Sequence, residues 1–427
     1  MNHPNLRPEQ AELLRIMKAY IHAERDCELP PAFQAYRPLF GLALAQRVAP
    51  VIWHYLSKDQ RAVSNCPADV VVIWNTYATQ ESAKQAQHES VFLKMYQALR
   101  EGGLHPLVLK GVVCRSLYAF PTLRVSCDED ILLQEDEFEE FDILIRAWGF
   151  HREEDAMGAI SYTDPESKLH VEVHFEPFRN FYNLVRKEND EFRDVFTNAV
   201  ELEIAGTKIL TVEPTKNLLF LMLHFLQHFS SAGAGFRMLC DIVAFIEKYV
   251  EQIDRGYLSD KLREFGLERF FVALEVIERR YLGLSAKNAI FPESADCEND
   301  ISDLMDDMFA SGVHGLVSKT RIQSAQVTFA ALTDRAGQGN VWKTLFFPTR
   351  EIMYAKYGWT SGRAVLLPIA YAVRIAKGLF RTAQGRLRGR GEDSNGEWVS
   401  LGNSRVELLR KYGILAAAYA GSEEQGK

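Results

Sequence analysis

The chain has 427 residues, more than one hydrophobic core serves, and its 47% hydrophobic and 25% charged residues are the balance of a soluble globular protein. Six scattered cysteines (27, 66, 114, 127, 240 and 297) without a C-x-x-C pair speak against a zinc ribbon or a disulfide framework and fit a reducing cytoplasm; the N-terminal stretch lacks the charged and apolar regions of an export signal. The net charge of −8 hides a segment, 352–391, with eight basic and no acidic residues, so that the remainder carries −16; such a segment attracts an anionic partner or a membrane surface, without any signal specific for nucleic acid.

The first hundred residues read as helices. "PEQAELLRIMKAYIHAERD" places Leu13, Leu14, Met17, Tyr20 and Ile21 on one side of a 3.6-residue repeat. A second run, "FQAYRPLFGLALAQRVAPVIWHYL", is interrupted near Pro50, and a third extends from about Pro67 to Leu99 and stops at Gly102 and Gly103. Then the pattern changes. "LHPLVLKG" has the form of a buried strand feeding a turn, a short helical stretch "VVCRSLYAF" follows, and a second strand is expected around "DEDILLQ". In "EDEFEEFDILIRAWGF" an apolar stripe of Phe138, Phe141, Leu144, Ile145 and Trp148 predicts a helix stopped by Gly149, with Glu135, Asp136 and Glu137 as its solvated first turn. "LHVEVHFEPF" alternates strictly, with Val171, Val173 and Phe175 on one face and His170, Glu172, His174 and Glu176 on the other. From about 213 to 312 helices return, including "LSDKLREFGLERFFVALEVIERRYL" as one run, and the Gly-, Ser- and charge-rich C-terminus reads as a flexible tail.

The chemistry concentrates in "CDEDILL". On a strand, residues i and i+2 share a face with Cα atoms roughly 6.6–6.8 Å apart, so Asp128 and Asp130 converge while Ile131 and Leu133 pack behind. Two hard oxygen ligands so placed suit a pair of Mg²⁺ ions, roughly 3.5–4 Å apart in two-metal sites. Glu172, on the polar face of the alternating strand, is the natural third carboxylate. A D-x-D alone is commonly a turn. Its coincidence with an apolar strand ending in Lys110-Gly111, and with a third strand carrying an acid and His174, favours a site.

The order "VLKGVVCRSLY", "LRVSCDEDILL", a helix ending "WGF", and "LHVEVHFE" resembles a nucleotidyltransferase family of bacterial biosynthetic loci, within the polymerase-beta-like superfamily. The likeness covers residues 104 to about 176 and extends more loosely to "FLMLHFLQHF" and "FRMLCDIVAF". It implies that Asp128 and Asp130 bind two catalytic Mg²⁺ ions, with Mn²⁺ an alternative, and that Glu172 is the third metal carboxylate or a base toward the acceptor. It also implies that Gly111 admits the backbone to the triphosphate and that Lys110 adds a cation there. Arg124 is either a phosphate contact or an exposed surface arginine, and His174 either binds nucleotide or orients Glu172. Val112 and Glu129 depart from the family pattern: a glycine or serine commonly stands at the first, an apolar residue at the second.

Other signals have plainer explanations. His224 and His228 stand four apart, as zinc ligands do, but without the H-E-x-x-H glutamate they read as core or interface histidines. Arg237 and Asp241 read as an i,i+4 pair. "AVLLPIAYAVRIAKGLF" is short and charged for a spanning helix, and is expected to pack on the helical region or to lie on a membrane surface. The expected fold is therefore α+β, with an N-terminal helical region over 1–103, a nucleotidyltransferase core with a small mixed sheet over 104–205, a C-terminal helical region over 206–390 and a tail over 391–427. The expected function is Mg²⁺-dependent transfer of NMP from an NTP to an unidentified small-molecule, carbohydrate or peptide-derived acceptor, by a cytoplasmic enzyme that is at most peripheral to a membrane. The alternative is a catalytically silent protein of the same fold that binds nucleotide or a partner.

Overall fold

The computed structural model describes residues 6–154, 160–178, 185–231, 233–291, 301–312, 319–333 and 393–423, with scattered positions between 353 and 377. The N-terminal helices are α1 (Pro8–Ile21), α2 (Tyr36–Ala45), α3 (Ala49–Leu56), α4 (Gln60–Asn65) and α5 (Ala68–Glu101). Pro50 stands in the first turn of α3, where its missing N–H costs nothing, so the interrupted run becomes two helices. Gly103, at φ +88°, ends α5 in a conformation that a side chain would strain.

The sheet follows. Strands β1 (Leu107–Val108) and β2 (Asp128–Leu132) flank α6 (Val112–Arg115), and α7 (Phe138–Ala147) leads to β3 (His151–Glu154), β4 (Ile160–Thr163) and β5 (His170–His174). After α8 (Val185–Asp190) come β6 (Val200–Ile204) and β7 (Thr207–Thr211). The seven strands lie in the order β3-β4-β5-β2-β1-β7-β6. β2 runs parallel to β5 and antiparallel to β1, and β1 runs parallel to β7, so the sheet is mixed and the fold is α+β. Because β7 pairs with β1, the sheet continues past residue 205, the expected end of the core.

Alternation divides the buried residues between two cores. Val108, Ile131, Leu133, Val171, Val173 and Ile209 pack on one face with α5 and α7. Leu107, Leu109 and Leu132 join the large helical core on the other. That core holds α9 (Pro214–Ser230), α10 (Phe236–Tyr249), α11 (Arg255–Glu264), α12 (Glu268–Ile277) and the early helices. The single run expected over "LSDKLREFGLERFFVALEVIERRYL" is broken at Gly266, whose φ of +72° ends α11 before α12 begins.

The chain ends differently from the flexible tail expected over 391–427. After α13 (Ser302–Ser311) and α14 (Lys319–Thr333), residues 393–423 form α15 (Asp393–Lys411) and α16 (Ile414–Glu423). Leu408, Leu409, Tyr412, Ile414, Leu415 and Ala418 are buried in the large core. Arg405 is buried too; its Nη2 donates to the Phe229 carbonyl and its Nη1 to that of Ser231 (2.5 Å). Composition hid this because the apolar residues fall after the Gly- and Ser-rich stretch. Most of the basic segment 352–391 lies outside the described residues; of its described positions, Leu367 and Ala370 pack with Met353 and Tyr357, whereas Val365 and Ile369 are exposed. Among the described residues no helix is long and apolar enough to cross a membrane.

Two stability measurements follow. Ending the chain at residue 392 removes several buried side chains, each contributing about 1.5–3 kcal/mol, so calorimetry should find the cooperative thermal transition lost or shifted far down; an unchanged transition would restore the flexible tail. Glu188 is buried, Oε1 has no hydrogen-bond partner among the described residues, and burial pushes its carboxyl up from 4.5 to about 8. The folded state therefore holds a proton that the unfolded state has released, and stability falls as pH rises from 4.5 to about 8. Glu188→Gln should flatten that slope in chemical denaturation, gaining a few kcal/mol, on the order of one per pH unit, above pH 8 and nothing near pH 4.

Candidate functional site

The parallel pairing of β2 with β5 sets Asp128 opposite His170, Asp130 opposite Glu172 and Leu132 opposite His174. The face carrying Asp128 and Asp130 is thus continuous with the polar face of β5, and it points toward α9 and α10. His174 Nε2 lies 3.0 Å from Asp130 Oδ1 and 3.7 Å from Glu172 Oε2. Asp130, Glu172 and His174 each offer one ligand atom, and the three atoms lie within 4.8 Å of one another. Burial, then the charges of Asp130 and Asp128, push the Glu172 carboxyl above its ordinary value. Two carboxylates and an imidazole so close, with Asp128 beside them, form a donor set that suits a divalent cation.

Lys110 completes the sheet end of the site. It is buried, and its Nζ approaches Asp130 Oδ2 at 3.1 Å and Asp128 Oδ2 at 3.6 Å. Burial acts to discharge it, but Asp128, Asp130 and Glu172 outweigh burial and hold the ammonium above its ordinary value. Nζ also donates to His224 Nε2 at 3.1 Å, and His228 Nε2 lies 3.0 Å from the same nitrogen. The pair read as core histidines thus has one member against the site, where the His224 ring stacks on Phe220.

Glu129, the acid between the aspartates, lies on the opposite face of β2 and is 1% exposed. Its Oε1 pairs with Arg115 Nη2 at 2.5 Å and its Oε2 accepts the Val112 N–H at 2.7 Å. Burial raises the Glu129 carboxyl, and Arg115 opposes the rise. Gly111 has φ +69°, and a Cβ there would overlap the Glu129 carboxylate. The missing side chain of Gly111 therefore makes room for Glu129, a use distinct from the expected approach to a triphosphate.

Arg124 is a correction to one expected alternative: it is 5% exposed and no surface residue. Nε and Nη2 bind Asp241 at 3.1 and 2.6 Å, and Asp241 also accepts the Tyr118 hydroxyl at 2.8 Å. Arg237, expected to pair with Asp241, instead donates Nη1 to the Val125 carbonyl at 2.7 Å. Lys110, Gly111, Asp128, Arg124, Arg237 and His224 all line one cleft of about 420 Å³, counted with its open mouth. Of the residues expected from sequence, Lys110, Asp128, Asp130, Glu172 and His174 form one cluster, and Arg124 stands across the cleft. Arg237, Asp241 and His224 were legible in the sequence only as an i,i+4 charge pair inside the otherwise apolar "FRMLCDIVAF" and as a core or interface histidine in "FLMLHFLQHF"; their place on the cleft was not.

A family described as uncharacterised nucleotidyltransferases matches residues 36–283, more than half of the chain and all of this site. The chain belongs to that family. No curated protein and no solved structure matches it. Membership gives nucleotidyl transfer as the general function of this fold and a nucleotide as its substrate, and the Asp130, Glu172 and His174 group is able to hold a metal ion.

Disturbing the buried pair beneath the turn should cost more than altering the cleft. Arg115→Met leaves Glu129 buried without its counter-charge, a loss of about 3–5 kcal/mol, whereas the double variant Arg115→Met/Glu129→Leu should recover much of it. Gly111→Ala should destabilise by about 1–3 kcal/mol from backbone strain, plus the overlap with Glu129. Urea denaturation checks all three, and equal losses in the single and double Arg115 variants would refute the pairing argument.

Proposed function

We propose that this protein is a Mg²⁺-dependent nucleotidyltransferase that transfers NMP from an NTP to an acceptor hydroxyl. Asp128, Asp130 and Glu172 would hold the divalent ions, two in number and Mn²⁺ as well as Mg²⁺, with His174 as a further nitrogen ligand or an anchor for Asp130. When bound, the metal neutralises charge on the phosphoryl oxygens as it develops. The acceptor oxygen forms its bond to the α-phosphorus as the bond from that phosphorus to the β-phosphate oxygen breaks, and pyrophosphate leaves with the electron pair. Where Glu172 faces the acceptor and not a metal, its carboxylate takes the acceptor's proton. Lys110 holds the aspartates in place before substrate arrives and supplies a cation beside the phosphates. The observation that carries the reading is the register that sets Asp130 against Glu172 and brings their ligand atoms and that of His174 within 4.8 Å. The acceptor class stays open among small molecules, carbohydrates and peptide-derived hydroxyls. Free Cys27, Cys66, Cys114, Cys127 and Cys240 support a reducing, cytoplasmic setting.

One observation favours the silent alternative: Lys110 already neutralises part of the carboxylate cluster without a metal. Calorimetric binding of ATP, GTP, CTP and UTP separates the readings. The enzyme reading expects at least one triphosphate to bind only with Mg²⁺ or Mn²⁺, with that binding lost in Asp128→Asn/Asp130→Asn while the melting temperature holds. Binding that needs no metal and survives the double substitution would support the silent protein. No binding of any triphosphate would end the enzyme reading and leave the silent protein only as one that binds a partner.

A further inference from the structure

The cleft has two electrical ends. At the sheet end Lys110 and Asp128 line the cleft, and Lys110 is also held by Asp130 and Glu172 beside them, so that three carboxylates face one ammonium, an excess of negative charge that suits a cation. At the helix end Arg124 pairs with Asp241, while Arg237 donates to the Val125 carbonyl and meets the Asp241 charge only through space. The arginines are 5% and 7% exposed, and both line the cleft. Nη1 of Arg124 and Nε of Arg237 are buried and have no hydrogen-bond partner among the described residues. A guanidinium keeps its proton in a protein, so burial of two around one carboxylate is costly until an anion joins them. Burial and the adjacent Arg124 charge push Arg237 below its ordinary value, as expected for a cation short of counter-charge.

A second observation removes a competing place for phosphate. A turn that feeds a helix commonly offers phosphate its first backbone N–H groups. Here the Val112 N–H donates to Glu129, and that carboxylate, lodged beneath Gly111, would repel a phosphate at the same point. That N–H is taken and a carboxylate lies beneath it, so the cationic side chains across the cleft are the better match for phosphate.

We propose that Arg237, with Arg124, forms the subsite for the β- and γ-phosphates of the NTP, so that the polyphosphate tail is bound by α10 and the loop facing it. The proposal rests on the nucleotidyltransferase reading and deepens it. Guanidinium groups suit this task because their planar N–H donors match phosphate oxygens. The α-phosphate then lies between the arginines and the carboxylate cluster, at the junction of the two ends of the cleft.

The test uses the full-length protein as wild type, Arg237→Met and Arg237→Lys, with Mg²⁺ present. The probes are inorganic tripolyphosphate and the best-bound NTP with its matching NMP. Tripolyphosphate should bind the wild type and compete with the NTP. Arg237→Met should weaken both at least tenfold and Arg237→Lys less, while NMP affinity stays equal in all three. The unliganded melting temperature reports folding; should Arg237→Met not fold, competition on the wild type decides alone. Tripolyphosphate that binds beside the NTP without competing, or wild-type NTP affinity in a folded Arg237→Met, overturns the subsite and leaves the nucleotidyltransferase reading intact. An anion carried by the acceptor would give that pattern. Absence of any Mg²⁺-dependent NTP binding by the wild type would overturn the underlying reading, and the subsite with it.

Discussion

The register between β2 and β5 is the constraint on which the site depends. Side chains alternate across a strand, so a slip of one residue would send Asp128 and Asp130 into the apolar core and bring Ile131 and Leu133 to the cleft. Burial on both faces forbids the slip: Ile131, Leu132, Leu133, Val171 and Val173 are each no more than 4% exposed. β2 is interior to the sheet, held by β5 on one side and β1 on the other. The carboxylates are therefore positioned by hydrophobic packing behind them, and their mutual repulsion is borne by a strand that has no alternative place to go.

That packing includes a charge, Glu129, which would be a defect without Arg115. The guanidinium is itself fully buried and donates also to Ser126, whose backbone N–H donates to Gln85 of α5 (3.1 Å). A chain of polar contacts thus runs from α5 through the loop before β2 to the strand and on to the Val112 N–H. Buried pairs of this kind seldom add net stability, since desolvation offsets most of the attraction. Their effect is geometric: they tie the turn at Gly111 to the middle of β2, and so fix Lys110 next to the aspartates.

The sequence carried the parts of the fold that have a period. The stripe of α1, the alternation of β5 and the glycine stops of α5 and α7 are local patterns, and each yields its element because one face must be buried. The carboxylate cluster was legible for the same reason, since i and i+2 on a strand share a face. What was not legible depends on distant partners. The β6–β7 hairpin is short and polar on β6, and only the pairing of β7 with β1 makes it part of the sheet. The C-terminal helices follow a stretch whose composition resembles a linker, and their order comes from contacts with α14 and the large core. Arg124 and Arg237 could be judged buried only after α10 was packed against the loop before β2, 112 and 117 residues apart in the contacts that join them.

This separation by distance has a functional logic. The sheet and the loop before β2 supply the carboxylates, Lys110 and Arg124, and α10 supplies Arg237 and Asp241, so the cleft is completed only when the two are packed together. Asp241 is the hinge of the arrangement: it accepts from Arg124 and Tyr118 together, tying the loop before β2 to α10 and setting the distance between the two kinds of charge. A nucleoside triphosphate with a divalent ion carries the complementary pattern, positive where the metal sits and negative along the phosphates. The region matched by the nucleotidyltransferase family, 36–283, spans both walls. A core cut off at the end of the sheet would keep the carboxylates, Lys110 and Arg124, but lose Arg237 and the Asp241 that holds Arg124 in place. The helical region lines the cleft with Arg237, Asp241 and His224, and is not merely a covering for the sheet.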